Sequence, residues 1–285
     1  MFYIPYELRE TKGKVVPKGP SFSRAGKVEL NLAGTKIRIR MPPHRPDPRA
    51  REGYPSRYQK GYLDLAGADF NLPESISTLW RCGVPLKRSW RFCGPWFTGV
   101  KGQIHFTLAV LQRDLEHGET LFNPRVFESE LDAFLTRDYS DEKSYGACDW
   151  QSPANWKVVI RSPVTAVAYD SLNILGAANV VKALSFPIAD NCLVQLDFRI
   201  DQLTWTGGNL AKVDKQVDRQ PMEQLVTDIC NSLEIELSET AQQQLAEAQR
   251  RFPNEKISEH REPLNWMTPE DEELYARYLK NPELF

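Results

Sequence analysis

The sequence lacks the short motifs by which most catalytic and metal-binding sites are recognised. Its 285 residues contain no Cys-x-x-Cys pair, no Gly-x-Ser-x-Gly and no Gly-rich loop followed by Lys-Ser/Thr. These absences exclude a zinc ribbon, a nucleophile elbow and a P-loop of the usual form. The histidines lie far apart, at His44, His105, His117 and His260. We therefore expect no metal and no cofactor.

Long apolar runs are also missing. No stretch of about 18 apolar residues is present, so no transmembrane helix is expected. The first residues, Met1 to Glu7, lack the basic and apolar regions of a secretory signal. Because the five cysteines are odd in number and no export signal precedes them, we interpret them as reduced thiols. The sequence thus predicts a soluble cytoplasmic protein, with Cys192 and Cys230 in its core.

Charge is unevenly distributed along the chain, although the formal net charge is only −2. Residues 1–60 contain 14 Lys and Arg and only 5 Asp and Glu. Residues 221–285 contain 6 Lys and Arg and 14 Asp and Glu. Such polarity indicates either two charged surfaces or two ends of the chain that meet in the fold.

The first two thirds of the chain alternate between apolar and polar residues, as half-buried β-strands do. Strands are predicted over 28–32, 37–41, 104–110, 156–160, 164–169, 183–188 and 193–200. Ala33-Gly34 and Asp190-Asn191 supply turns for two hairpins, and Ser162-Pro163 separates two further strands. The first 24 residues and the proline-rich stretch 42–49 are predicted to be irregular.

Helix signals are concentrated at the C-terminus. Asn123-Pro124 begins one earlier helix, because Asn is a good N-cap and Pro is favoured at the first helical position. Pro221 and Ser238 begin two later helices, and Thr268 begins a third with a capping-box pattern. Strands first and helices last, without strict βαβ alternation, predict an α+β fold with a mainly antiparallel sheet and helices concentrated at the C-terminus.

The polar stretch 138–155 is the best internal boundary. It predicts an N-terminal β-rich region with one helix at 1–140 and a C-terminal α+β region at 150–285. One continuous compact unit is the alternative.

Residues 80–111 combine aromatic and basic side chains. Five aromatic residues crowd this segment, namely Trp80, Trp90, Phe92, Trp96 and Phe97. Basic groups contact phosphates and aromatic rings stack on bases, so a nucleic-acid-binding protein using the 36–91 region is one hypothesis. Its candidate contacts are Arg81, Lys87, Arg88 and Arg91. Tryptophans this dense are also typical of a core over which arginine stems pack.

Two clusters of charged residues remain. Glu270, Asp271, Glu272 and Glu273 could dock onto a basic cleft of a partner protein, or they could simply complement the dipole of a helix. The segment 114–119 gathers carboxylates around His117, which makes a hydrolase a third hypothesis. A solvated turn is the simpler interpretation of that segment, since it follows a strand and contains Gly118.

The segments 186–198 and 225–233 place a strand pair before a helix that ends in Ser-Leu. This pattern resembles the closing unit of small α+β proteins encoded beside bacterial contact-dependent or type VI secretion toxins, which are immunity proteins or loading accessories. The resemblance covers under a fifth of the chain and carries over no functional residue. It implies a cytoplasmic protein that binds and neutralises a cognate toxin, such as a nuclease effector, without catalysis of its own.

The absent catalytic motifs, the polarised charge and this resemblance together favour a non-enzymatic protein-binding protein. The expected partner is a cognate toxin, with nucleic acid as the alternative and no membrane partner. No pattern in the sequence indicates an oligomeric state.

Overall fold

A computed structural model of the protein describes residues 4–48, 58–63, 80–144, 147–175, 178–205 and 207–280. The strands form mostly antiparallel sheets, and the helices lie mainly after residue 210. The predicted α+β fold is confirmed.

The strands are, in chain order, β1 (Gly26–Leu32), β2 (Thr35–Met41), β3 (Tyr58–Gln59), β4 (Tyr62–Leu63), β5 (Trp80–Cys93), β6 (Val100–Arg113), β7 (Lys143–Ser144), β8 (Ala147–Cys148), β9 (Trp150–Arg161), β10 (Val164–Asn173), β11 (Asn179–Ala189), β12 (Cys192–Gln202) and β13 (Glu234–Glu236). The helices are α1 (Pro124–Tyr139), α2 (Leu210–Asp214), α3 (Gln220–Asn231), α4 (Glu239–Arg251) and α5 (Pro269–Lys280). A short 3₁₀ turn at Phe22–Arg24 precedes them.

The larger sheet has the strand order β3-β5-β6-β12-β11-β10-β9, and its neighbouring strands are antiparallel. Strands β6 and β12 pair continuously from Gly102 opposite Gln202 to Gln112 opposite Cys192. This pairing joins a strand of the predicted N-terminal region to a strand of the predicted C-terminal region within one sheet.

The smaller sheet has the order β13-β2-β1-β4. Ala33 and Gly34 connect β1 to β2 with φ of 48° and 91°, so both central residues of this two-residue turn adopt the left-handed conformation that matches strand twist. Strand β13 brings the acidic C-terminal region to the basic N-terminal region. Glu236 lies 3.2 Å from the Nζ of Lys36 and 3.1 Å from the Nη2 of Arg38. The two oppositely charged ends of the chain therefore meet here.

Both faces of the larger sheet are covered by apolar side chains. One face packs against the smaller sheet and α3, where Phe106 and Phe198 have ring centroids 4.7 Å apart and Met222 is fully buried. The opposite face packs against α1 through Phe127 and Leu131. Burial of each large apolar side chain contributes about 1.5–3 kcal/mol, so these two layers are the main source of stability.

The predicted helix caps are confirmed. The Asn123 side chain accepts from the N–H of Arg125 at 2.8 Å, and Ser238 Oγ accepts from the N–H of Ala241 at 3.2 Å. The stretch 138–155 is less turn-rich than expected, because β9 already begins at Trp150. Within the described portion of the chain, no helix combines the length and apolarity needed to cross a membrane.

Candidate protein-interaction surface

The acidic cluster at the start of α5 has structural partners within the protein. Asp271 is buried, and its carboxylate accepts from the N–H of Thr268 at 3.0 Å while the Thr268 hydroxyl accepts from the N–H of Asp271. Lys143 adds an ion pair at 3.2 Å. The backbone hydrogen bond from Thr268 is the main cause that lowers the pKa of Asp271. This is the capping box that the sequence predicts.

The neighbouring acids are more exposed but are also engaged. Glu273 pairs with Arg277 one turn along the helix at 2.8 Å, and Glu272 accepts from the side chain of Asn265 at 3.1 Å. Glu270 lies exposed in the first turn, where a negative charge favours the helix dipole. The helix itself therefore accounts for this cluster.

The basic candidates on β5 do not form a single exposed surface. Arg88 is only 5% exposed and donates to Gln59 and to the carbonyl of Lys87, and Arg91 donates to the carbonyl of Pro46 at 3.1 Å. Arg81 and Lys87 are exposed, and Arg81 lies 3.6 Å from Asp114. The expectation that Arg88 faces a nucleic-acid backbone is corrected, because the pairing of β3 with β5 places Gln59 against it.

The aromatic residues of the same region divide into two groups. Trp80, Trp90 and Phe92 are buried in the two core layers and offer no ring face for base stacking. Trp96 and Phe97, which the sequence placed in the same crowded segment, are exposed instead. They lie in the turn between β5 and β6.

The segment 114–119 is an exposed turn. The N–H of Glu116 donates to the Glu119 carboxylate, and Asp114 and His117 face solvent. This geometry matches the simpler interpretation of a solvated turn and supplies no enclosed site around His117.

A serine, a histidine and an aspartate come together on the larger sheet in a way that the sequence did not reveal. Ser89 Oγ lies 3.1 Å from Nδ1 of His105, and Nε2 of His105 lies 3.3 Å from Asp201. Hydrolases use these residue types as nucleophile, base and orienting group. Here Ser89 is only 2% exposed, so its hydroxyl is not presented to a substrate from solvent. The group cross-links β5, β6 and β12.

The cysteines are free thiols. Burial raises the pKa of Cys82 to about 11 and the pKa values of Cys192 and Cys230 to about 12. A nucleophilic cysteine needs a lowered pKa, whereas the surroundings of these three thiols raise it. Across the described ranges, no three His, Cys, Asp or Glu side chains are grouped as metal ligands.

The most distinctive surface feature is a cluster of exposed apolar side chains at one end of the larger sheet, which we call the aromatic end. Its members are Tyr6 (55% exposed), Leu8 (73%), Trp96 (65%), Phe97 (45%) and Trp205 (72%). Large side chains of this kind are usually buried, and exposed aromatic clusters mark sites of interaction.

Backbone contacts bring the three segments of the aromatic end together. The N–H of Leu8 donates to the carbonyl of Phe97 at 2.8 Å, and the N–H of Leu203 donates to the carbonyl of Lys101 at 2.9 Å. Glu7 and Lys101 form a buried ion pair at 2.5 Å beneath these contacts. Glu7, Lys101 and Trp205 also line a common depression of about 160 Å³. The exposed side chains therefore lie on three segments of the chain that are held together by these contacts.

The turn that carries Trp96 and Phe97 has an unfavourable backbone conformation. Their φ values are 41° and 64°, in the left-handed region that bulky residues rarely occupy. The N–H of Gly94 donates to the carbonyl of Gly99 at 2.9 Å, and Thr98 closes the turn onto Pro95. Such conformations cost about 1–3 kcal/mol each and persist where the surroundings impose them, often at functional sites. The turn thus holds two aromatic rings at the surface at a cost in stability.

Exposed charged residues lie on the segments that carry the aromatic end. Arg9 and Lys12 lie on the N-terminal arm, and Lys212 packs against Gly208 close to Trp205. Glu10 is an exposed acid on the arm, and it lines the depression beside Trp205 together with Glu7 and Lys101. Charges of both signs therefore lie near the aromatic end. An aromatic centre with a charged rim is the usual arrangement of a protein-protein interface.

The sequence contained a signal for this surface that composition alone did not reveal. Gly94-Pro95 and Gly99 mark a turn, and side chains within a turn tend to face solvent.

No family model matches the chain, and no curated protein or solved structure matches it.

Proposed function

We propose that this is a non-enzymatic binding protein that docks onto a protein partner through the aromatic end. The observation that carries the proposal is the exposure of Trp96, Phe97 and Trp205 on segments that are joined through Glu7 and Lys101. Trp and Tyr dominate the binding energy of protein interfaces, because they bury a large area and lose little conformational entropy. The charged residues of both signs on the same segments favour a partner whose apolar surface is bordered by polar groups.

The more specific form of the proposal is an immunity protein that neutralises a bacterial toxin in the cytoplasm. Its support is the resemblance of the 186–198 and 225–233 segments to such proteins. The position of the exposed aromatic residues changes one detail of the hypothesis. The contact with the toxin is made by these aromatic groups, whereas the acids at 270–273 stabilise a helix. A partner with an exposed apolar surface therefore fits better than a basic nuclease cleft.

The test begins with affinity capture of the tagged protein from its native cells, followed by purification of any protein recovered at stoichiometric amount. The double variant W96A/W205A should bind that partner at least about 100-fold more weakly, since each tryptophan at a hot spot contributes about 2 kcal/mol or more. The matched control is Ile160→Ala, because Ile160 is 80% exposed yet lies on β9 outside the aromatic end. Its affinity should equal that of the unaltered protein.

The results distinguish docking through the aromatic end from the more specific immunity function. Equal binding by W96A/W205A and the unaltered protein would remove the aromatic end as the docking surface. Recovery of nucleic acid that dissociates with salt would favour the nucleic-acid hypothesis instead. If the partner is a toxin, co-expression of the protein should protect cells and W96A/W205A should not. A partner without toxicity would overturn the immunity function and leave protein binding in place.

A further inference from the structure

A second recess lies away from the aromatic end, between the start of α1, the end of α4 and the hairpin of β9 and β10. Its volume is about 390 Å³. Small-molecule sites occupy about 300–1,000 Å³, and an apolar cavity of about 150 Å³ is enough to hold benzene. The recess therefore has room for a molecule of about two fused rings.

The walls that a ligand can reach are mainly apolar. Val158 on β9, Leu245 on α4, and Phe252 and Ile257 beyond α4 line the recess, and each is only half-buried. Part of every one of these side chains remains accessible, whereas Phe127 lies behind them and is fully buried. A molecule in the recess would thus contact apolar carbon from both the sheet and the helix, and removal of that surface from water favours binding.

Charged side chains meet the recess along one segment, which follows α4. Among the described lining residues, Glu255, Lys256 and Glu259 are the charged ones, and Lys256 and Glu259 are exposed. Charges of both signs on the same side attract neither a cation nor an anion selectively. A charged ligand would therefore lose hydration between the apolar walls without a dedicated partner in return. This arrangement favours a ligand without charge.

The mouth of the recess carries apolar surface that water covers at present. Ile160 is 80% exposed at the end of β9 and lines the recess together with Pro163 at the hairpin turn. Large apolar side chains are usually buried, and an exposed one beside an apolar recess extends the wall to the surface. A ligand that enters from solvent would cover Ile160 as well as the walls.

We infer that this recess binds a compact uncharged molecule, mainly apolar and about the size of two fused rings. Its volume sets the size of the ligand, the accessible apolar walls supply the affinity, and the mixed charges beyond α4 leave no preference for an ionised group. The inference does not depend on the aromatic end, because none of the residues that line the recess belongs to that surface.

The experiment compares quinoline with 1-methylquinolinium at pH 7.5 by isothermal titration calorimetry with the full chain. The two probes share one ring system and differ in a fixed positive charge. Quinoline should bind at one site with a Kd below about 1 mM, as a small ligand in an apolar site does. 1-Methylquinolinium should bind at least about tenfold more weakly, because its charge lies in the ring and must enter the apolar walls. No binding of quinoline, or equal affinity for the two probes, would overturn the inference.

Variants locate the binding site. Val158→Trp adds bulk to an accessible wall and should weaken quinoline binding at least about tenfold, since the added ring occupies the space that the ligand needs. The matched control is Lys157→Trp, which adds the same side chain at an exposed neighbouring position outside the recess and should leave the affinity unchanged.

Two further variants keep the test decisive. Leu245→Trp fills the recess from α4 and replaces Val158→Trp if circular dichroism shows that the latter is unfolded. Unchanged quinoline binding in the folded filling variant would place the ligand elsewhere and contradict the inference. W96A/W205A should bind quinoline as the unaltered protein does, so a loss there would assign the binding to the exposed tryptophans instead. The recess and the docking surface can therefore fail separately.

Discussion

The aromatic end and the acidic first turn of α5 are both exposed clusters, but they differ in what their side chains do inside the protein. In the acidic turn, Asp271 caps its own helix and pairs with Lys143, and Glu273 pairs with Arg277. In the aromatic end, Trp96 and Trp205 extend into solvent with 65% and 72% of their surface exposed. A cluster of like charges is thus explained by local structure, whereas the exposure of Trp205, and of Trp96 on a strained turn, is not. The comparison favours the aromatic end as the functional surface.

The largest predicted effect on stability concerns the contact between Gly99 and Glu7 at the base of the aromatic end. Gly99 has φ +75°, and an added Cβ would lie 2.7–2.9 Å from the atoms of Glu7. Gly99→Ala should therefore reduce the free energy of unfolding by about 2–4 kcal/mol, from the left-handed conformation and the clash together. Urea unfolding measures the loss, and limited proteolysis near Arg9 reports release of the arm.

The control for that variant is Gly26→Ala, because no atom lies within 4 Å of a Cβ added at Gly26. It should change stability by less than about 0.5 kcal/mol, as most surface substitutions do. Equal stability of Gly99→Ala and Gly26→Ala would show that the arm is not held against the turn as described.

The next effect concerns the acidic turn. Thr268→Ala removes the hydroxyl that accepts from the N–H of Asp271 and should cost about 1 kcal/mol of stability. Glu270→Ala should leave partner affinity unchanged, since this acid belongs to the helix and not to the interface. Thermal unfolding and a binding titration measure the two results. A large loss of affinity in Glu270→Ala would restore the acidic cluster as a docking site.

A smaller effect on stability, this time an increase, is expected from a substitution at Trp96. Because its φ of 41° is unfavourable for a bulky residue but acceptable for Asn, Trp96→Asn should stabilise the fold by about 0.5–1 kcal/mol. The same variant should bind the partner more weakly, since it removes an aromatic ring from the interface. Destabilisation by Trp96→Asn would indicate that the ring contributes to packing and not to binding.

The smallest effect is a pH response of the acidic turn. The pKa of Asp271 is lowered by its hydrogen bond with the N–H of Thr268, so its contribution is present above its ordinary value of 3.8 and is lost as pH falls towards the lower folded pKa. Hydrogen exchange in 269–280 should therefore be faster at pH 3 than at pH 5, after correction for the intrinsic rate. Thr268→Ala, which removes one half of the capping box, should show a smaller difference between the two pH values. Equal protection of α5 at both pH values would contradict the capping role.

The strands, the helix caps and the α+β class could be predicted because their signals are local. Alternation, turn residues such as Ala33-Gly34 and caps such as Asn123 depend on a few neighbouring residues. The burial of Arg88 could not be predicted, since it depends on β3, whose Gln59 comes from 29 residues earlier in the chain. The approach of Ser89 to His105 and Asp201 likewise depends on the register of three strands.

The candidate sites were harder to predict for the same reason. The aromatic end combines the arm around Leu8, the turn at Trp96 and the segment at Trp205, which only the tertiary structure joins. The glycines and the proline at 94–99 are a local sign of a turn, but the crowding of tryptophans in this segment is equally typical of a core.

The most direct test of the central claim compares W96A/W205A with E270A/E272A/E273A in binding to the same purified partner. Both variants alter exposed side chains of the two compared regions, and circular dichroism checks that each is folded. We expect a loss of at least about 100-fold in affinity for the tryptophan variant and a change of less than about threefold for the acidic variant. The opposite order of effects would contradict it and would place the partner on α5.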